Sequence, residues 1–80
     1  MGTIAVYRNV RIVIYSNDHG PPHVHAIKSD ATAVFLIETL EIRENYGFDA
    51  KSIFRIRQFL GERREALLES WYEIHPKEKN

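Results

Sequence analysis

Cysteine is absent from this 80-residue chain. That removes disulfides, thiolate metal sites and cysteine nucleophiles together, so a metal site here has to be built from His, Asp or Glu. Net charge is absent too, because 11 Lys and Arg balance 11 Asp and Glu. A neutral chain has no electrostatic footprint for general DNA or membrane-surface binding, although a local basic patch can still bind RNA or an acidic partner. No apolar run approaches the roughly 18 residues of a membrane span. The stretch Ile4–Tyr7 is too short for the apolar region of a secretory signal. Val6 stands where a myristoylation motif starting at Gly2 has Ser or Thr. These absences point to a cytoplasmic protein. Repeats and low-complexity tracts are missing as well, and the length predicts one domain, residues 1–80. A domain of this size buries roughly 60% of its unfolded surface, so its stability is expected to be modest unless a metal or an oligomer adds to it.

What is present divides at residue 49. The first half is rich in β-branched and aromatic residues broken by turn chemistry. Val10–Tyr15 reads as a strand, and Ile4–Tyr7 as a short strand before it across Arg8-Asn9. Ser16–Pro22 is a turn by composition. His23–Lys28 reads as the next strand, with His23, His25 and Ile27 on one face and Val24 and Ala26 on the other. Ala31–Ile37 follows after Ser29-Asp30, and Glu41–Glu44 can add a polar edge strand. From Asp49, a helix N-cap by type, the period changes. Ile53, Ile56, Phe59/Leu60, Leu67, Trp71 and His75 recur at intervals of three and four, the spacing of one apolar helix stripe. Gly61 interrupts it, predicting a kink or two helices, and Pro76 ends it before a frayed tail at 77–80. The expected fold is α+β: a small antiparallel sheet of three to four strands with the C-terminal helix, kinked or split near Gly61, packed on one face. Val10, Ile12 and Ile14 share one face of their strand while Val13 and Tyr15 share the other. Apolar groups on both faces suggest a homodimer or a stable protein partner.

The chemistry is concentrated in Asn17-Asp18-His19-Gly20-Pro21-Pro22-His23-Val24-His25, which holds three of the four histidines beside a two-proline turn. His23 and His25 are two apart on a strand, so both rings leave one face with Cα atoms roughly 6.5 Å apart. Two imidazoles at that spacing can reach one divalent ion such as zinc at about 2.0–2.1 Å. Asp18 or His19, returned by the proline turn, could supply a third ligand and leave a position open for water, as in catalytic zinc sites. A second reading is metal-free acid–base catalysis shared among the histidines, with Asp18 orienting one ring. The structural alternative is that the histidines cap turn carbonyls and stack on Tyr15 or Trp71. Arg55, Arg57, Arg63 and Arg64 fall on the helical segment, but Glu62, Glu65 and Glu69 are interleaved, which favours a solvated, self-paired face over phosphate binding. Trp71 is expected in the core and His75 at the helix end, where it complements the dipole.

On Asn17-Asp18-His19, Pro21-Pro22-His23 and His25, the chain resembles the domain of unknown function 4160 family, small prokaryotic proteins. Ile12–Ser16 before the motif and Leu67-Leu68 with Trp71 after it extend the resemblance over nearly the whole chain. Gly20 departs from it, standing where asparagine is often found, and 38–49 fits loosely. The resemblance marks Asp18, His19, His23, His25 and Trp71 as motif positions without assigning them a role. It also implies a gene neighbourhood similar to toxin–antitoxin pairs, and hence an interaction or regulatory module binding a partner protein. The alternative function is a small hydrolase acting on a phosphodiester, metal-dependent or histidine-driven, centred on the His-rich motif.

Overall fold

A computed structural model describes residues 2–78 of the protein. Five strands precede two helices: β1 (Gly2–Tyr7), β2 (Val10–Ile14), β3 (His23–Lys28), β4 (Ala31–Leu36), β5 (Ile42–Tyr46), α1 (Ala50–Gly61) and α2 (Arg64–Ile74), followed by a single 3₁₀ turn, Pro76–Glu78. The strands form one antiparallel meander in chain order. The fold is therefore α+β as expected, with five strands rather than three or four. The difference arises at the two edges. β1 pairs with β2 from Gly2 to Tyr7 around an irregularity at Ile4, and the polar segment after Glu41 pairs with β4 as far as Tyr46. Both were weak strand signals, because an edge strand with one neighbour needs little apolar content.

Alternation decides which side chains meet the helices. Val10, Ile12, Ile14, Val24, Ala26, Ala33 and Phe35 form the covered face, joined by Ile53, Ile56 and Leu60 of α1 and Leu67 and Trp71 of α2. The opposite face carries His23, His25 and Ile27 of β3, as the pleat requires. Asp49 caps α1 through a 2.8 Å bond from the Ser52 backbone N–H to its Oδ1. That bond holds the Asp49 carboxyl below its ordinary range. Gly47 turns the chain into the helix at φ +102, and a Cβ there would sit 3.2 Å from the Ala31 Cα.

The stripe is split into two helices at Gly61. The Glu62 and Arg63 N–H groups close back onto Gln58 and Leu60 carbonyls, and α2 starts afresh at Arg64. β2 stops at Ile14, one residue short of the sequence reading, because the Tyr15 carbonyl is taken by Asp18 N–H and the His75 ring. The expected frayed tail is the other correction. Residues 76–78 form an ordered turn whose last side chain reaches back to the His-rich loop, while Lys79 and Asn80 lie outside the described residues.

Candidate metal centre

The site forms where β2 leaves the sheet and β3 enters it. The turn between them folds Asp18 back over the start of β3, fixed by the Asp18 N–H donating to the Tyr15 carbonyl at 3.2 Å. His23 Nδ1 lies 2.9 Å from the Pro21 carbonyl oxygen. A carbonyl only accepts, so Nδ1 carries the proton and donates. The other ring nitrogen, Nε2, is 3.0 Å from Asp18 Oδ2. His25 Nδ1 is 3.9 Å from the same oxygen, too far for a hydrogen bond. It is buried and has no hydrogen-bond partner among the described residues. One ligand-type atom from each of Asp18, His23 and His25 lies within 4.8 Å of the others. Burial lowers the His25 pKa from its ordinary value, the His23 ring adds to this, and the Asp18 and Glu44 carboxylates oppose it.

Aromatic rings hold the two histidines. Tyr15 meets His25 edge-on at 4.8 Å, and His23 lies 5.1 Å from Trp71. Trp71 is fully buried and stacks on His75 at 3.8 Å. His75 is itself held between two carbonyls, Trp71 O at 2.9 Å and Tyr15 O at 3.0 Å. Its role is thus wider than the dipole contact expected at a helix end, because it ties α2 to the end of β2. Glu78 completes the support: Oε1 accepts from Trp71 Nε1 at 2.9 Å and Oε2 from the Gly20 N–H at 3.2 Å. A Cβ at residue 20 would lie 3.0 Å from Glu78 Oε1, so glycine suits this close approach.

Of the four histidine-motif candidates, Asp18, His23 and His25 converge, and His19 does not belong to the group. His19 is exposed and lies on the rim of a neighbouring groove. The contacts of the purely structural reading are all present: His23 meets a turn carbonyl and Trp71, and His25 meets Tyr15. They leave two features over, the orphaned His25 nitrogen and the His23–Asp18 pair. Sequence reasoning missed Glu78, placed in a tail, and missed Arg43 and Glu44, which reach the groove only through strand pairing. Of the helical arginines, Arg57 donates to the Leu40 carbonyl at 3.0 Å and Arg63 lies 3.9 Å over the Phe59 ring. These two are engaged within the fold.

The family model described as Domain of unknown function (DUF4160) matches residues 9–72. The chain belongs to this family. The match runs from the start of β2 into α2, so for DUF4160 it contains Asp18, His23, His25, Arg43 and Trp71 but neither His75 nor Glu78. No curated protein and no solved structure matches the chain. No helix among the described residues is long and apolar enough to cross a membrane.

The donor set suits a borderline divalent ion. Two imidazole nitrogens and one carboxylate oxygen are ligands that zinc accepts, and three protein ligands leave a coordination position for water. Ligand atoms around one tetrahedral ion at ~2.0–2.2 Å lie roughly 3.3 Å apart. The two separations from Asp18 Oδ2, 3.0 and 3.9 Å, bracket that spacing, and all three ligand atoms lie within 4.8 Å of one another. The Pro21 carbonyl does what outer partners of metal-bound histidines do, fixing the tautomer that directs Nε2 inward.

Proposed function

We propose that Asp18, His23 and His25 bind one divalent ion and that the protein uses it for hydrolysis. The observation that carries this reading is the buried His25 Nδ1 without a hydrogen-bond partner, aimed at the Asp18 oxygen that also faces His23. A buried unpaired polar atom costs about 1–3 kcal/mol, and an ion among these three groups would remove that cost. It would also resolve the His23–Asp18 contact. With Nδ1 donating to Pro21, a neutral His23 presents a lone pair to a carboxylate at 3.0 Å, a repulsive arrangement unless a cation or a second proton lies between them. The group bound there would supply a polarised water at the open position.

Metal-free acid–base chemistry fits less well. Both His23 nitrogens face oxygen atoms and His25 Nδ1 is buried away from a substrate, which leaves the exposed His19 and the far nitrogen of His25 for proton transfer. The test is metal content by native mass spectrometry of untagged protein. One zinc or manganese per chain is expected, lost in both His23→Ala and His25→Ala while circular dichroism stays that of the wild type. An ion-free wild type after zinc or manganese addition would refute it.

A second reading, a regulatory module of toxin–antitoxin type that binds a partner protein or its own copy, rests on the uncovered sheet face. Strand pairing aligns Val6, Arg11, Ile27, Thr32 and Tyr46 in one row across all five strands. Val6 is 59% exposed and Tyr46 65%. Large exposed apolar groups on a face that the helices leave open are a recurring mark of interaction surfaces. A monomeric mass in light scattering, together with no partner captured by the wild type that a Tyr46→Glu variant loses, would remove this reading.

A further inference from the structure

Beside the three-residue cluster, on the sheet face away from the helices, lies a groove of about 280 Å³. Its walls include His19, His23, Val34, Leu36, Arg43 and Glu44. His23 belongs to both the cluster and the groove. Arg43 and Glu44 are consecutive in β5, and in a regular strand consecutive side chains point to opposite faces. Here both line one groove because β5 is irregular at this point. Val34 pairs with Glu44 and Phe35 pairs with Ile42, so Arg43 is one residue in excess. Such a bulge turns a side chain out of the alternation, and bulges of this kind gather next to functional sites. Among the described residues Arg43 has no ion pair, unlike His23 with Asp18 or Arg63 with Glu62.

We infer that this groove binds a phosphate ester, with Arg43 as the residue that grips the phosphoryl oxygens next to the ion. The inference rests on the metal reading of Asp18, His23 and His25 and names the substrate class of that same centre. A guanidinium presents a rigid fork of N–H donors that matches two phosphoryl oxygens, and an arginine left unpaired beside an ion site is free to make that contact. A phosphoryl group placed there has one oxygen toward the ion and others toward Arg43. His19 on the exposed rim adds a ring N–H donor. The apolar floor of Val34 and Leu36 suits the sugar or alkyl part of the ester. The volume lies just below the ~300–1,000 Å³ of small-molecule sites, so it fits the phosphoryl group and its adjoining unit rather than a large cofactor.

Glu44 sharpens the inference. Its carboxylate shares the groove with Arg43, and Asp18 adds a second negative charge next to His23. Without an ion these carboxylates offset Arg43, and an anion gains little by entering. With a divalent ion the local balance becomes positive. Phosphate binding is therefore ion-dependent.

The experiment is calorimetric titration in two stages. Manganese is titrated first into wild type, Arg43→Gln, Glu44→Gln and, as a control on a different surface, Arg55→Gln. Inorganic phosphate, phenyl phosphate and diphenyl phosphate are then titrated into each manganese-loaded protein and into the metal-free wild type. Expected are manganese binding in all four proteins, weaker in Glu44→Gln because that carboxylate acts on His25, and phosphate binding only in the loaded forms. Arg43→Gln should weaken phosphate by about tenfold or more, the scale of one charge-assisted contact. Arg55→Gln should leave it unchanged, and Glu44→Gln should tighten it. Phenyl phosphate against diphenyl phosphate decides between monoester and diester as the source of the group. Manganese binding without phosphate binding in the wild type, or a phosphate affinity indifferent to Arg43→Gln, overturns this inference and leaves the metal centre standing. A wild type that takes up neither manganese nor, in a parallel titration, zinc overturns both.

Discussion

Asp18, His23 and His25 illustrate how an identical pair of rings can be given different chemistry by backbone neighbours. His23 has a carbonyl on one nitrogen and a carboxylate on the other, whereas His25 Nδ1 has no hydrogen-bond partner among the described residues. Burial disfavours the charged form of His25 most strongly, which gives the metal-free protein a definite pH dependence. The unfolded chain binds this proton near the ordinary value of 6.5, and the folded chain binds it only at lower pH. Between those two values the unfolded state holds more protons, so stability falls as pH is lowered below about 6.5 and levels off once His25 is charged in both states. Melting temperatures in the presence of a chelator, from pH 8 to 5, should show this slope, and His25→Gln should flatten it. An unchanged slope in that variant would mean another group is responsible. Asp49 acts in the same direction at lower pH: its depressed value adds stability above the ordinary 3.8 that is lost as pH falls through the folded value.

Pro76–Glu78 is the element whose function departs most from its composition. A charged terminal segment after a proline reads as solvent-exposed chain, yet Glu78 bridges the buried Trp71 indole and the Gly20 amide. Glu78→Ala should leave Trp71 Nε1 without its partner, at about 1–3 kcal/mol. Urea unfolding measures this, and Glu78→Gln, which keeps an acceptor oxygen, should fall closer to wild type. If both variants match wild type, the turn carries no stability. The bulge in β5 works at the same scale. One excess residue delivers Arg43 to the groove, and the polar sequence of 41–44 predicts the strand without its irregularity.

Across the whole molecule, one core supports everything, and it is small. Phe35, Ile12 and Ile14 of the sheet are fully buried against the helices, as are Ile56 and Trp71 on the helices' inner faces. Truncating a buried Phe costs about 3–5 kcal/mol, against ~5–15 kcal/mol for the total stability of a domain. Phe35→Ala is expected to lose most of its cooperative thermal transition. Phe54→Ala, at a position 57% exposed, should stay within about 0.5 kcal/mol of wild type. Equal stability of the two variants would show that the helices are not seated on this face of the sheet. The helices bury the Val10, Ile12 and Ile14 face of the sheet, and the groove lined by Val34 and Leu36 opens on the opposite face, with Trp71 of α2 reaching His23.

The alternation of His23-Val24-His25-Ala26, the Asp49 cap and the spacing Ile53, Ile56, Leu60, Leu67, Trp71 were all legible in the sequence, because each reflects a local period of strand or helix. The break at Gly61 was legible for the same reason. So was the density of ligand-type residues at 17–25. The return of Asp18 to His23 and His25, and the exclusion of His19 from them, depended on the path of the turn that the Tyr15 and Pro21 carbonyls hold. His75 and Glu78 meet that loop across 60 and 58 residues of chain. Arg43 meets it through two strand pairings and a bulge. Periodicity is a property of neighbours along the chain, but convergence depends on how distant segments register against one another. Only the packed sheet and its helices decided that.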